Sequence, residues 1–206
     1  DGIRDDLVTG VQTCALPILV ENTDLNTAGT GTITIGGTIN GAKTLVISNT
    51  TSTTINGVIG GTTPITSIST NTNGTTYINS GAITTTGSQA YGDAVVLGAD
   101  TTLTTTNNVI TFNSTVDSDD ASTRRDLTLT LGSGTGAFFG IVGTTSLADI
   151  ILNSNATFNA ALTADNLTIA ASKTATVKGD VTIASNITLS GSSTLADRKS
   201  TRLNSS

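Results

Sequence analysis

The stretch Leu127-Thr-Leu-Thr-Leu131 decides the fold, because apolar and hydroxyl-bearing side chains alternate in it with a period of two. Such alternation places successive side chains on opposite faces of a β-strand. The pattern recurs as Thr32-Ile-Thr-Ile35 and Val181-Thr-Ile183, and runs of this kind follow one another from about residue 19 to residue 195. Gly, Asn or Ser interrupts them every few residues, as turns require. The sequence therefore predicts an all-β domain of many short strands.

The composition favours a thin, stacked core over a wide globular one. The 206 residues include four Phe, two Tyr and no Trp, and only 12% are charged, well below the usual quarter. A compact domain normally fills its centre with large aromatic side chains. A chain that lacks them needs a narrow interior of Val, Ile, Leu and Ala, so we predict a β-solenoid. No helical periodicity exceeds a turn or two, and even 160–171 contains the strand-like Leu167-Thr-Ile169.

Internal similarity predicts two modules, at about 31–108 and 109–195, within a solenoid region that spans 19–196. Ile33–Ile39 resembles Ile110–Val116, and Leu45–Ile47 matches Leu127–Leu129, at offsets near 80 residues. A module of this length divides into about four coils of roughly 20 residues. At about 4.8 Å per coil the region would form a rod of about 40 Å. Outward Thr should meet Thr from coil to coil, and Asn and Gly should occupy the corners.

Both ends differ in style from the chain between them. Residues 1–18 and 197–206 lack the Thr/Asn/Gly pattern and resemble translated sequencing-adapter read-through. We therefore leave them out of the fold, as an artefactual leader and tail. Cys14, the single cysteine, leaves with them, so the remaining segment has no thiol chemistry. The sequence has no Met, and we expect it to be a fragment of a longer rod.

Two stretches resemble a known family. Ser80–Leu103, which contains Ile83-Thr-Thr-Thr-Gly87 and Leu97-Gly-Ala-Asp-Thr-Thr-Leu103, and Asn108–Asp117 are similar to the repeat units of filamentous-haemagglutinin-like adhesins and autotransporter passengers of Gram-negative bacteria. The resemblance covers most of 31–160, and its motifs are structural. It implies a right-handed parallel β-helix that is exported to the outer-membrane surface or the extracellular medium. The secretion domain and outer-membrane barrel of that family are not in this sequence.

The charge pattern limits the function classes. A net charge of −6 and a pI near 4.3 argue against nucleic acid as a partner, which needs clustered Lys and Arg. No apolar run approaches the roughly 20 residues of a membrane helix. The absence of His excludes a Ser-His-Asp triad and His-ligated metals. We expect no catalytic, cofactor-binding or metal-binding residue and no enzymatic activity.

Two sets of residues have both a functional and a structural interpretation. Asp117, Asp119 and Asp120 could form a weak calcium site, or belong to a solvated insertion loop with Arg124 and its neighbours, which we favour. The six aromatic residues could be sugar-stacking platforms or stacked core residues, and we favour the core. They are Tyr77, Tyr91, Phe112, Phe138, Phe139 and Phe158. The glycines of Gly134-Thr-Gly136 are predicted turn residues rather than a phosphate loop, because no Lys-Ser/Thr follows.

The leading functional hypothesis is a structural passenger segment of a large secreted or surface-anchored bacterial adhesin. It would act as a stiff rod and as a weak multivalent surface for host glycans or proteins, joined to flanking solenoid coils of the same polypeptide. One alternative is a polysaccharide-cleaving enzyme on the same scaffold, which needs convergent acids and bases. The available bases are scattered: Lys43, Arg124, Arg125, Lys173 and Lys178. A second alternative is a tandem β-sandwich surface domain.

Overall fold

The computed structural model describes residues 18–27, 31–197 and 201–203, and within them every regular element is a β-strand. In chain order the strands are β1 (Thr23–Asn26), β2 (Ile33–Ile35), β3 (Thr44–Ser48), β4 (Ser52–Ile55), β5 (Ser67–Thr70), β6 (Thr75–Ile78), β7 (Ala82–Thr85), β8 (Gln89–Tyr91), β9 (Ala94–Leu97), β10 (Thr101–Thr105), β11 (Ile110–Phe112), β12 (Val116–Ser118), β13 (Leu127–Thr130), β14 (Thr135–Phe138), β15 (Val142–Leu152), β16 (Asn155–Phe158), β17 (Leu162–Ile169), β18 (Thr174–Val177), β19 (Val181–Leu189), β20 (Thr194–Asp197) and β21 (Thr201–Leu203).

The strands stack in parallel as a β-solenoid of about nine coils with three faces. Face A is a nine-stranded sheet in the order β1-β3-β5-β8-β11-β14-β16-β18-β20. Face B contains β2, β4, β6, β9, β12 and β21, and face C contains β7, β10 and β13. The long strands β15, β17 and β19 turn the corner between these two faces, so their first residues belong to face B and their last residues to face C.

Every strand pair among the described residues is parallel, which confirms the predicted solenoid and excludes an antiparallel sandwich. On face A, the step from one coil to the next varies from 19 residues, between Ala156 and Ala175, to 26, between Ile110 and Gly136. The longest step contains the loop at 119–126, which is the predicted insertion. The segment 162–169 is a strand, as its Leu-Thr-Ile pattern predicts.

The core consists of in-register columns of inward side chains. One column on face C runs through eight coils and contains only Ile and Leu: Ile39, Ile59, Ile83, Leu103, Leu129, Leu152, Ile169 and Leu189. Its members are fully or almost fully buried until the column reaches Leu189, which is 49% exposed. Burial of a Leu or Ile side chain stabilises a fold by about 1.5–3 kcal/mol. A narrow prism can therefore be stabilised without a wide aromatic centre.

The corners contain the residues that the sequence predicts there. Positive φ angles occur at glycines such as Gly60 (+73°) and Gly132 (+60°), and also at Asn73 and Asn107. A Cβ at position 60 would lie 2.1 Å from the Thr84 carbonyl oxygen, so the corner needs glycine for space as well as for conformation. The turn prediction is wrong for Gly136, which lies in β14, where a Cβ would approach Leu129 to 2.7 Å.

The matched segments of the two predicted modules lie on different faces. Ile33–Ile35 forms β2 on face B, whereas Ile110–Phe112 forms β11 on face A. The segment at 45–47 belongs to β3 on face A, and 127–129 to β13 on face C. All three faces share the same alternation, so sequence similarity identifies a strand without identifying its face. The module limits stay predictions, and the structural repeat is the single coil.

The predicted leader and tail fall mostly on residues 1–17, 198–200 and 204–206, which lie outside the described residues. Residues 201–203 form β21 and pair in register with β19. No helix in the described part of the chain is long and apolar enough to cross a membrane.

Candidate functional site

The three carboxylates of the predicted calcium site are each engaged in a different interaction. The Asp117 Oδ1 accepts a hydrogen bond from the Thr145 N–H at 3.0 Å, in the next coil. Asp119 forms a bidentate ion pair with Arg125, at 2.8 and 3.2 Å. Asp120 accepts hydrogen bonds from the Ser122 hydroxyl and N–H, which lower the pKa of the Asp120 carboxyl. These contacts hold the loop together, and they match the loop interpretation.

Two ion pairs attach this loop to the rod. Arg125 pairs within the loop with Asp119, and Arg124 reaches Asp165, which lies 41 residues further along the chain. The side chains remain between 24% and 36% exposed, so each pair contributes about 0–1 kcal/mol. No group of three or more His, Cys, Asp or Glu among the residues that the structure describes is arranged to hold a metal ion.

Four of the six aromatic residues form one column inside face A. Tyr91, Phe112, Phe138 and Phe158 are fully or almost fully buried in successive coils. Their ring centroids are separated by 5.2, 4.6 and 4.4 Å, and the planes of neighbouring rings differ by 13°, 10° and 7°. These four are stacked core residues, as predicted.

The other two aromatic residues lie on the surface. Tyr77 points outward from β6 and is 39% exposed, and Phe139 follows β14 and is 55% exposed. They belong to different faces or corners and to different coils. Only these two of the six therefore retain the geometry that a sugar-stacking platform needs.

A ladder of polar side chains runs along the corner between faces B and C, which we call the corner ladder. It consists of Asp100, Asp126, Asp149, Asn166 and Asn186. The Asp100 Oδ1 accepts from the Asp126 N–H at 3.0 Å, and the Asp126 Oδ1 accepts from the Asp149 N–H at 2.9 Å. The Asp149 Oδ1 accepts from Asn166 Nδ2 at 2.6 Å, and the Asn166 Oδ1 accepts from the Asn186 N–H at 3.2 Å. The ladder thus satisfies backbone donors where the chain turns.

The electrostatics of the corner ladder are unfavourable at its centre. Burial raises the pKa of Asp126, and the carboxylates of Asp100 and Asp149 raise this pKa further, while the Asp149 N–H lowers it. Asn166 and Asn186 occupy equivalent positions without charge. The corner therefore requires an oxygen acceptor, and three of its five coils supply that acceptor with a like-charged neighbour.

Two buried polar groups were missed by the sequence reasoning. Gln89 is fully buried, where its Nε2 donates to the carbonyl oxygens of Thr104 at 3.0 Å and Ile83 at 3.2 Å, and its Oε1 accepts from the Tyr91 hydroxyl at 2.9 Å. Burial raises the pKa of Tyr91, so the phenol stays a donor. The only signal was the position of Gln89 on the inward side of an alternating run.

Asp93 is the second group, buried at the corner between faces A and B. Its Oδ1 accepts from the Gly74 N–H at 2.8 Å and its Oδ2 from the Thr76 hydroxyl at 3.2 Å. Burial raises the pKa of Asp93, and these two hydrogen bonds partly lower it. Among the residues that the structure describes, no cation forms an ion pair with this carboxylate.

The basic residues do not converge with the acids on one face. Lys173 precedes β18, and its Nζ donates to the Gly132 carbonyl oxygen at 3.3 Å. Lys178 follows the same strand at the opposite corner, and its Nζ donates to the Asn159 Oδ1 at 2.6 Å. Lys43 precedes β3 several coils away, and the two arginines are in the loop described above. The acid–base pairing that polysaccharide cleavage requires is not assembled by these residues.

Outward threonines stack in register, as the alternation predicts. Thr102 lies opposite Thr128, Thr104 opposite Thr130, and Thr168 opposite Thr188, all on face C. Cross-strand pairs of this kind contribute roughly 0.2–1 kcal/mol each. The chain matches no protein-family model, no curated protein and no solved structure. The surface itself is thus the basis for any functional argument.

Proposed function

We propose that this chain is a structural passenger segment of a large bacterial adhesin that is secreted or anchored at the surface of a Gram-negative cell. The observation that carries the proposal is the parallel solenoid of about nine coils, built on uninterrupted columns such as Ile39 to Leu189. Each coil contacts its neighbours only, so coils add length without changing the cross-section. A rod of this kind holds distal parts of a protein away from the cell.

The adhesive contribution of the segment is weak and repeated. Its outward positions are dominated by Thr, Ser, Asn and Ala, and they recur once per coil. A single such contact has little affinity, whereas many linked contacts raise the effective concentration and hence the avidity. We therefore expect contact with host glycans or proteins to depend on many copies, and we propose no catalytic step for the chain.

Surface display tests the adhesive part of the proposal. The chain is displayed at graded densities on a bacterium that does not adhere by itself, and retention on host cells or matrix is measured under flow. Retention that rises steeply with density supports a multivalent surface, and an unrelated rod of similar length is the control. Absence of retention at every density, or tight binding by the soluble monomer, contradicts it.

The gene on either side of this segment tests the export part. The proposal expects a secretion domain upstream or an outer-membrane barrel downstream, in one reading frame with further solenoid coils. A reading frame that joins this segment to a cytoplasmic enzyme would refute it.

A further inference from the structure

The outward side of face C presents two parallel rows of small, uncharged side chains, which we call the threonine face. The first row follows the strand register through six coils and consists of Ala82, Thr102, Thr128, Ile151, Thr168 and Thr188. The second row lies two residues further along each coil and consists of Thr84, Thr104, Thr130, Asn153, Ala170 and Ser190. Seven of these twelve positions are Thr, and none is charged or aromatic.

The hydroxyl groups of this face are free to bind an external ligand. Within the described residues, the hydroxyls of Thr84, Thr102, Thr104, Thr128, Thr168 and Thr188 make no hydrogen bond, and that of Thr130 only accepts from Asn153 Nδ2 at 3.3 Å. Inward and corner threonines differ, because Thr76, Thr85 and Thr101 donate to acceptors within the fold. The difference separates hydroxyls that serve the fold from hydroxyls that face outward.

The spacing of the threonine face is regular because the coils repeat almost by translation. The aromatic column belongs to the same coils as β10, β13, β15 and β17, and its rings are 4.4–5.2 Å apart with planes within 13° of parallel. Sheets normally twist, and side-chain ladders are one of the features that keep a sheet flat. The threonine face is therefore a flat and rigid lattice of hydroxyl and methyl groups.

A ligand that complements this lattice must be uncharged, rich in hydrogen bonds and periodic in two dimensions. A single glycan chain is periodic in one dimension only, and the face has no aromatic ring on which a sugar could stack. Rungs about 4.8 Å apart and rows about 6.6 Å apart define the face, and the oxygen repeats of the prism faces of hexagonal ice lie within about one ångström of both. We propose that the threonine face binds ice.

The physical basis is the ordering of water before contact with the crystal. Ordering a water molecule costs up to about 2 kcal/mol, and this cost falls when fixed groups already hold the water in place. Methyl groups of Thr, Ala and Ile exclude disordered water between the hydroxyls, and the rigid rungs keep their spacing. A layer of water held at the repeat of the crystal can then join its surface.

Thermal hysteresis and inhibition of ice recrystallisation test the proposal on the full chain. We expect the wild-type protein to shape ice crystals, and Thr128→Tyr to reduce hysteresis by about tenfold, equivalent to about 1.4 kcal/mol. The ring of Tyr would hold the crystal away from both rows. Thr111→Tyr is the matched control, since Thr111 points outward from β11 on face A with alanines on both sides, at positions 90 and 137. It should retain wild-type hysteresis.

Circular dichroism and the melting temperature establish that both variants are folded, and Thr128→Val provides a second substitution that keeps the branched shape. Retention of most hysteresis by Thr128→Val together with its loss in Thr128→Tyr supports the lattice. A wild-type protein without ice shaping overturns the proposal, and so does an equal loss in the two Tyr variants. Binding to insoluble cellulose or chitin that Thr128→Tyr abolishes, without any hysteresis, would also overturn it and identify a neutral polysaccharide instead.

Discussion

The aromatic column supports a quantitative prediction about the middle of the rod, because Phe138 and Phe139 are adjacent in sequence and opposite in environment. Phe138 is fully buried between Phe112 and Phe158, at centroid distances of 4.6 and 4.4 Å. Phe139 is 55% exposed. The perturbation is truncation of each to Ala in an otherwise identical chain.

The magnitude follows from burial and stacking. Phe138→Ala leaves a cavity in a column that cannot collapse, because the neighbouring rungs are fixed by strand pairing, and we expect a loss of about 3–5 kcal/mol. Phe139→Ala should change stability by less than about 0.5 kcal/mol. Phe138→Leu keeps most of the apolar volume and removes two ring contacts of about 0.5–1.5 kcal/mol each. Phe158→Leu removes one ring contact and should cost about half as much.

The assay combines guanidinium unfolding, followed by far-UV circular dichroism, with hydrogen exchange resolved by peptide. Solenoids can unfold coil by coil, so one midpoint does not describe the whole rod. Hydrogen exchange localises the loss, which should centre on β11, β14 and β16 and fade toward the ends. Equal destabilisation by Phe138→Ala and Phe139→Ala would refute the reasoning, and so would equal costs of the two Leu variants.

Three further predictions follow from the corners and the loop. Asp126→Asn keeps the acceptor for the Asp149 N–H and removes like charge, so it should stabilise the fold at pH 7 by roughly 0.2–1 kcal/mol per relieved neighbour. Since the folded pKa of Asp126 is raised, wild-type stability should fall as pH rises through that pKa, and the advantage of the variant should vanish below the unfolded value near 3.9, as urea titrations at several pH values would report. Gly60→Ala should cost at least about 1–2 kcal/mol in a thermal or urea melt, whereas Gly36→Ala, with no atom within 4 Å of the added Cβ, should be nearly neutral. Arg124→Ala should change global stability by less than about 1 kcal/mol yet accelerate tryptic cleavage after Arg125, and unchanged cleavage would show that the Asp165 contact does not restrain the loop.

Strand existence could be predicted from the sequence because the side-chain period of two is written locally. Leu127–Leu131 shows which side chains point inward, and the structure buries Leu127, Leu129 and Leu131 and leaves the two threonines on the outer side. The pairing of Thr102 with Thr128 follows from the same alternation once strands are stacked in parallel. Corner glycines were predictable for a similar reason, since a positive φ favours one residue type.

The face of each strand could not be predicted, because that information is not local. Coil length varies with the loop at 119–126, so a constant period cannot assign Ile110 to face A and Ile33 to face B. Gln89 occupies an inward position because Ile83, Thr104 and Tyr91 supply its partners, and those partners meet only after the coils close. The contact between residues 124 and 165 likewise depends on two intervening coils.

The corner ladder changes how acidic residues in such a chain should be interpreted. Asp100, Asp126 and Asp149 stack in three successive coils and would attract attention as a cation site, yet Asn166 and Asn186 fill the same role further along the rod. Both amide and carboxylate oxygens accept a backbone N–H, so the fold selects an acceptor and tolerates its charge. A stacked fold thereby converts inward and corner polar groups into structural ones. Chemistry directed at an external partner must come from the outward rows, where the hydroxyls have no acceptor within the described fold.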